Sequence, residues 1–165
     1  MELLIMYSIF HTSYCGSTLL ACLLSKSLPT LAEPSWSCQP IDKIDVNKNH
    51  IKEYLVKYPS MAYQLIPNIN SKIVFLYRNL DDHLKKLESV KEINRQEEAF
   101  LWSSRFFYAT QAEDIIFIES NYFLNNQKET CQLICDYFGI EYKPIEINFH
   151  VKDAGYLGKD NLIQI

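Results

Sequence analysis

The chain is poor in the features that most directly announce a function. It has no excess of positive charge: 16 Lys and Arg against 20 Asp and Glu leave a net charge of −4. Neither nucleic acid nor a membrane surface is therefore supported as a partner, because both need a basic face. A basic pocket on an acidic protein is still compatible with that balance. It has no CxxC pair, and its five cysteines are an odd number in a chain of ordinary domain size. That pattern indicates neither a disulfide framework nor a zinc knuckle, so no metal is expected. No apolar run is long enough to span a bilayer. No basic region precedes the first apolar run, which reads as a strand and not a signal peptide, and the reduced cytoplasm is the expected compartment. Internal repeats and low-complexity segments are absent. Glycine is scarce, with four in 165 residues, which gives weight to where each one stands.

What is present is globular. A hydrophobic share of 48% with 22% charged residues suits one domain, 1–165, large enough to bury a core. The stretch that organises it is Leu3 to Leu24. Leu3 to Phe10 is an almost unbroken apolar run of strand length, as in a parallel strand covered on both faces. Polarity changes abruptly over His11-Thr12-Ser13-Tyr14-Cys15-Gly16-Ser17-Thr18. Leu19, Leu20, Leu23 and Leu24 then recur at helical spacing. A turn between a strand's C-terminal end and a helix's N-terminal end is where open α/β sheets bind ligands. Unpaired N–H groups and the helix dipole favour an anion there, Gly16 permits close approach, and Ser17 and Thr18 add hydroxyl donors. A phosphate or sulfate site is one reading; a plain turn with Ser17 or Thr18 as helix cap is the other. No Lys follows Gly16, so this is not the nucleoside-triphosphate pattern GxxxxGK[ST]. Cys15, within the turn, is a further candidate, as a nucleophile activated by the helix end. Cys131 and Cys135, four apart, suit a helix core.

Further along, Leu28 to Pro34 is strand-like and ends in Glu33-Pro34. Residues 36–49 are polar and irregular and read as a loop or lid. Ile51 to Lys57 fits helix or strand equally. Pro59 or Ser60 opens a short helix through Ile66. Ser71 to Tyr77 is a clear core strand, followed by Arg78-Asn79 and a helix over Leu80–Val90 with Asp81 and Asp82 in its first turn. Glu97–Gln111 reads as a helix aromatic on several sides and well covered. Asp114–Glu119 is another strand. Ser120 or Asn121 caps a helix to Phe138, stopped by Gly139, and 140–165 reads as an irregular tail. Strands alternating with helices imply a parallel sheet with helices on both faces, and so place Cys15-Gly16, Glu33 and Arg78 along one rim.

Taken together, these residues resemble the sulfotransferase family of the P-loop superfold. That family's loop of the type [K/R]-S-G-[S/T]-T-x-L is matched by Tyr14-Cys15-Gly16-Ser17-Thr18-Leu19-Leu20. Its later strand ending in Arg-Asn/Asp-Pro is matched by Phe75-Leu76-Tyr77-Arg78-Asn79-Leu80. Glu33-Pro34 matches a Glu-Pro found in many bacterial members, and Ile115–Glu119 through Phe138-Gly139-Ile140 matches the closing strand and helix. The order is right over nearly the whole chain.

The resemblance implies an α/β three-layer sandwich with a parallel central sheet. It implies 3′-phosphoadenosine 5′-phosphosulfate as donor and sulfuryl transfer to a hydroxyl or amine of a small-molecule or glycan acceptor. Cys15, Gly16, Ser17 and Thr18 would cradle the 5′-phosphosulfate and Arg78 the 3′-phosphate. Glu33 would be the general base, with His11 the competing candidate. The chain departs from the pattern at Tyr14, where the family has Lys or Arg. Such a donor typically contributes a factor of ~10²–10³ in rate. Leu80 replaces the family's Pro, and Lys86 falls where it has Ser, so Lys86 or Lys85 is the candidate for that phosphate contact. Lys57 is the candidate for the missing cation. A kinase-like P-loop transferase and a non-catalytic binding protein of the same fold stay open as alternatives.

Overall fold

The computed structural model describes residues 5–147 and 157–165. Leu3 and Leu4 of the first apolar run, and Gly155 of the tail, lie outside them. The five strands are β1 (Met6–His11), β2 (Thr30–Ala32), β3 (Leu55–Lys57), β4 (Ser71–Tyr77) and β5 (Ile115–Glu119). They form one sheet in the order β2-β3-β1-β4-β5, every pair parallel. The ambiguous segment 51–57 thus contributes a strand, β3, between β2 and β1. Its tertiary setting decides what periodicity could not.

Alternation along each strand builds two cores. Tyr7, Ile9, Leu55, Val74, Leu76 and Ile118 point to one face and pack on α1 (Ser17–Leu24) and on a C-terminal helix. Phe10, Val56, Ile73 and Phe75 point to the other. There they meet the 3₁₀ segment Ser60–Asn68 and a long helix, Arg95–Ala109. The result is the expected three-layer α/β sandwich with helices on both faces.

Residues 36–49 contain short turns, Ser35–Cys38 and Ile41–Lys43, and one helical turn, α2 (Val46–Asn49). Trp36 stands edge-on to the buried Tyr58 ring at 5.8 Å. His50 accepts the Tyr58 hydroxyl proton at Nδ1 (2.9 Å) and donates from Nε2 to the Tyr54 carbonyl (3.1 Å). After β4 come α3 (Leu80–Glu88), capped by Asn79, and α4 (Arg95–Ala109), capped by Asn94. Near the C-terminus Leu162 bridges Leu31 of β2 in antiparallel fashion. Among the described residues no helix is long and apolar enough to cross a membrane.

Two expectations need correction. The single helix from Ser120 to Phe138 is two, α5 (Ser120–Asn125) and α6 (Gln127–Phe138), with Glu119 and not Ser120 or Asn121 as the cap of the first. Asn125 and Asn126 turn their amides back onto the Asn121 and Tyr122 carbonyls. Asn126 itself leaves helical geometry, as side chains that compete for the backbone tend to make residues do. Nor is α4 covered all round. Trp102, Arg105, Phe106 and Ala109 make the inward stripe, while Phe100 and Phe107, seven apart, stand 72% and 64% exposed on the far side.

Phe75 marks the centre of the second core, fully buried with its ring 5.1 Å from Phe106 and 5.5 Å from Phe117. Phe75→Ala is expected to cost about 3–5 kcal/mol, measured as a lower urea midpoint with an unchanged slope.

Candidate anion-binding site

The site begins where β1 runs out. The loop from His11 to Gly16 does not follow an ordinary turn: Ser13 (φ 75°), Tyr14 (φ 46°) and Gly16 (φ 87°) all lie in the left-handed region. Gly16 is constrained by its φ, which favours glycine; a Cβ there would make only ordinary contacts with the Phe123 and Leu124 side chains of α5, at 3.4 and 3.5 Å.

Gly16 also occupies the N-cap position of α1, with no side-chain hydrogen bond to the helix end and no acidic residue in the first turn. Ser17 and Thr18 therefore do not cap. The first-turn N–H groups stay without an intrahelical acceptor and keep the positive end of the dipole open. The plain-cap reading for Ser17 or Thr18 is thus not met, since Gly16 holds the N-cap position.

Thr12 anchors the loop. Its N–H donates to the Leu76 carbonyl (3.2 Å), its Oγ1 accepts the Arg78 N–H (3.1 Å) and its carbonyl accepts from Arg105 Nη1 (3.0 Å). Arg78 reaches back with Nε to the Tyr14 carbonyl (3.2 Å), so the arginine at the end of β4 and the loop after β1 meet on one rim. Glu33, after β2, and Lys57, at the end of β3, join them. Lys57 Nζ lies 3.2 Å from Glu33 Oε2, the lysine side chain 4% exposed and the glutamate 41%. Glu33 holds a left-handed φ of 49°, donates its N–H to the Lys57 carbonyl (2.8 Å) and accepts at its own carbonyl from Asn161 Nδ2 (2.9 Å).

The remaining candidates are placed differently. His11 donates from Nε2 to the Tyr58 carbonyl (3.0 Å) and accepts the Ser13 N–H at Nδ1 (3.1 Å). Both nitrogens are engaged, and burial with the charges of Lys57 and Arg105 holds its pKa well below the usual histidine value. Proton transfer through His11 needs one of those bonds broken. Cys15 is fully buried with its thiol toward the Leu76 carbonyl, and burial pushes that thiol up to about 11. It is no activated nucleophile; what it offers the loop is backbone. Lys85 and Lys86 are exposed on the second half of α3, and among the described residues neither side chain hydrogen-bonds to the loop. Tyr14 is half exposed at the mouth.

Arg105 is a buried charge beside the loop that sequence reading passed over. It is 3% exposed, its Nε has neither partner nor solvent, and among the described residues no carboxylate pairs with it. Its one signal in the sequence is a lone charge inside the aromatic run Phe100–Tyr108.

No protein-family model and no curated protein sequence matches the chain. Solved structures do. A sulfotransferase from Alicyclobacillus acidocaldarius superposes with a TM-score of 0.56 at 13% identity, over 91% of this chain and 87% of that one. The sulfotransferase domain from the curacin biosynthetic pathway gives 0.54 at 16% identity, over 87% and 77%. The fold is sulfotransferase-like. A mouse sulfotransferase, SULT7A1, solved in complex with PAP, gives 0.53 at 12% identity over 88% of this chain and 60% of its own. Shikimate kinase from Bacteroides thetaiotaomicron gives 0.55 at 11% identity, over 82% and 98%. The sulfotransferase-like P-loop fold is thus shared with phosphoryl-transfer enzymes, and at these identities the likeness is one of fold.

His11, His50 and His83 are buried with lowered pKa values, desolvation being the largest cause for each, and His83 falls to about 4. The unfolded chain binds protons at about pH 6.5 that the folded one refuses. Stability is expected to be level above about pH 6.5 and to fall as the pH drops from there toward the folded-state values. Urea titrations across that range check this, and a profile that stays level down to about pH 5 would contradict it.

Proposed function

We propose that this chain binds 3′-phosphoadenosine 5′-phosphosulfate and transfers its sulfuryl group to a hydroxyl or amine of a small-molecule or glycan acceptor, in the cytoplasm. The observation that carries the reading is the uncapped N-terminus of α1 behind a left-handed loop, with Arg78 and Lys57 on the same rim. Open N–H groups, a buried lysine and a half-buried arginine are what an anionic donor needs, so the residues present fit the group. When bound, the donor supplies the sulfuryl group and departs as 3′,5′-adenosine bisphosphate.

The chain's own residues divide the work. Backbone N–H groups from Cys15 to Thr18, with the two hydroxyls of Ser17 and Thr18, hold the 5′-phosphosulfate. Arg78 holds the 3′-phosphate, and Lys86 is the residue that can extend to it from α3. Lys57 supplies at the reacting end the positive charge that Tyr14 does not, a contribution that grows where water is excluded. Glu33 takes the acceptor's proton as the new bond to sulfur forms and the sulfur–oxygen bond to the phosphate breaks. That requires Lys57 to leave the Glu33 carboxylate and face the donor. His11 shapes the loop.

One observation favours a second reading. The shikimate kinase superposition is as good as those of the sulfotransferases, which keeps a kinase-like transferase in play. Against it stands the absence of Lys after Gly16. Tyr14 in place of the loop cation keeps the non-catalytic binding reading in view.

Calorimetric titration with 3′,5′-adenosine bisphosphate tests the site without knowledge of the acceptor. Arg78→Ala is expected to lose about 2–5 kcal/mol of binding, and Lys57→Met is expected to weaken it as well. Glu33→Gln, which releases Lys57 from its carboxylate, is expected to tighten it. Unchanged affinity in Arg78→Ala would reject the assignment.

A further inference from the structure

Beside the rim lies a cleft of about 420 Å³ between the turns that follow β2 and the start of the 3₁₀ segment after β3. Ser37, Cys38, Ile41, Met61, Tyr63 and Gln64 contribute to its walls, and no lining residue carries a charge. Its volume is that of a small-ligand site. Glu33 adjoins one wall, where the Cys38 thiol faces the Glu33 carbonyl at 3.6 Å. Met61, 56% exposed, adjoins the other, and its sulfur is the contact of Arg105 Nη2, also at 3.6 Å.

The guanidinium of Arg105 therefore sits between the loop and the cleft. On the loop side Nη1 is satisfied by the Thr12 carbonyl. On the cleft side it has only a thioether, a weak acceptor, while Nε has nothing. A guanidinium carries five donors and is always charged, and buried charges are paired. This one is not. Methionine is readily moved aside, having three rotatable bonds, and among the described residues the weak contact of its sulfur with Arg105 is all that holds it here.

We propose that the cleft is the acceptor site and that it selects an anionic acceptor, one bearing a carboxylate or equivalent acidic group that pairs with Arg105 when Met61 swings away. The hydroxyl or amine of the same molecule is then presented toward Glu33. This rests on the sulfotransferase reading for the meaning of "acceptor", but the acid-binding site itself does not depend on it.

The chain suits a direct test, because it has three methionines and three arginines, so the Met61 methyl and the Arg105 Nε–H can be resolved by NMR. Glucuronate and its uncharged methyl ester are the probes, each titrated with and without 3′,5′-adenosine bisphosphate. Glucuronate is expected to shift both resonances and to bind at least about tenfold more tightly than the ester. Arg105→Met is expected to abolish that preference while leaving ester binding in place, and Arg105→Lys to restore part of it. Equal binding of acid and ester would overturn the proposal. Should Arg105→Met fail to fold, the acid-against-ester comparison on the wild-type resonances decides by itself. If the nucleotide fails to bind while glucuronate binds through Arg105, the acid site stands and the donor assignment falls.

Discussion

Thr12 meets the sheet, the loop and two arginines through three different atoms. Its N–H continues the ladder to Leu76, its hydroxyl receives the Arg78 backbone, and its carbonyl receives the Arg105 guanidinium. Because these partners come from β4 and α4, the loop is fixed to elements far apart in sequence before any ligand arrives. The left-handed residues that follow, Ser13 and Tyr14, are unfavourable on their own and persist only where their surroundings over-determine them. Here His11 accepts the Ser13 N–H and Arg78 holds the Tyr14 carbonyl. The loop is thus built in advance, and the anion proposed to bind there would not bear the cost of ordering it.

The electrostatics around that cradle are lopsided. Arg78, Lys57 and Arg105 converge on it, and among the described residues Glu33 is the one carboxylate paired with any of the three. Lys57 and Arg105 are almost completely buried, where an unbalanced charge costs several kcal/mol. The neighbours register the field: His11 and His83 are held neutral, in part by these cations. Three of the 16 Lys and Arg residues of an acidic chain meet at this loop, a charge that the proposed anionic ligand would balance.

The fold was largely legible because it rests on patterns that local sequence carries. The apolar run of β1, the β-branched and aromatic run of β4 and Gly16 at the strand-to-helix junction each have a backbone reason to be where they are. The rim was legible for the same reason, since parallel strands deliver their ends to one edge. What was not legible depends on tertiary partners. Leu55–Lys57 is a strand because β1 and β2 flank it, and nothing within the segment says so. The split at Asn126 follows from amide side chains folding back on carbonyls one turn earlier. The further candidacy of Cys15 as a nucleophile is disfavoured because its thiol turns into the core, and His11 has both its nitrogens occupied. Arg105 was hidden because a charge within a helical aromatic run reads as a solvated face; only its placement against Thr12 and Met61 reveals it.

The central claim is that the cradle is built for a sulfotransferase donor and not for a nucleoside triphosphate, two ligands the fold can serve. Competition calorimetry of 3′,5′-adenosine bisphosphate against ATP on the unmodified protein separates them most directly. The account predicts micromolar or tighter binding of the bisphosphate, worth about 8 kcal/mol, with ATP weaker by at least about tenfold. Tighter binding of ATP, or no binding of either nucleotide, would contradict it.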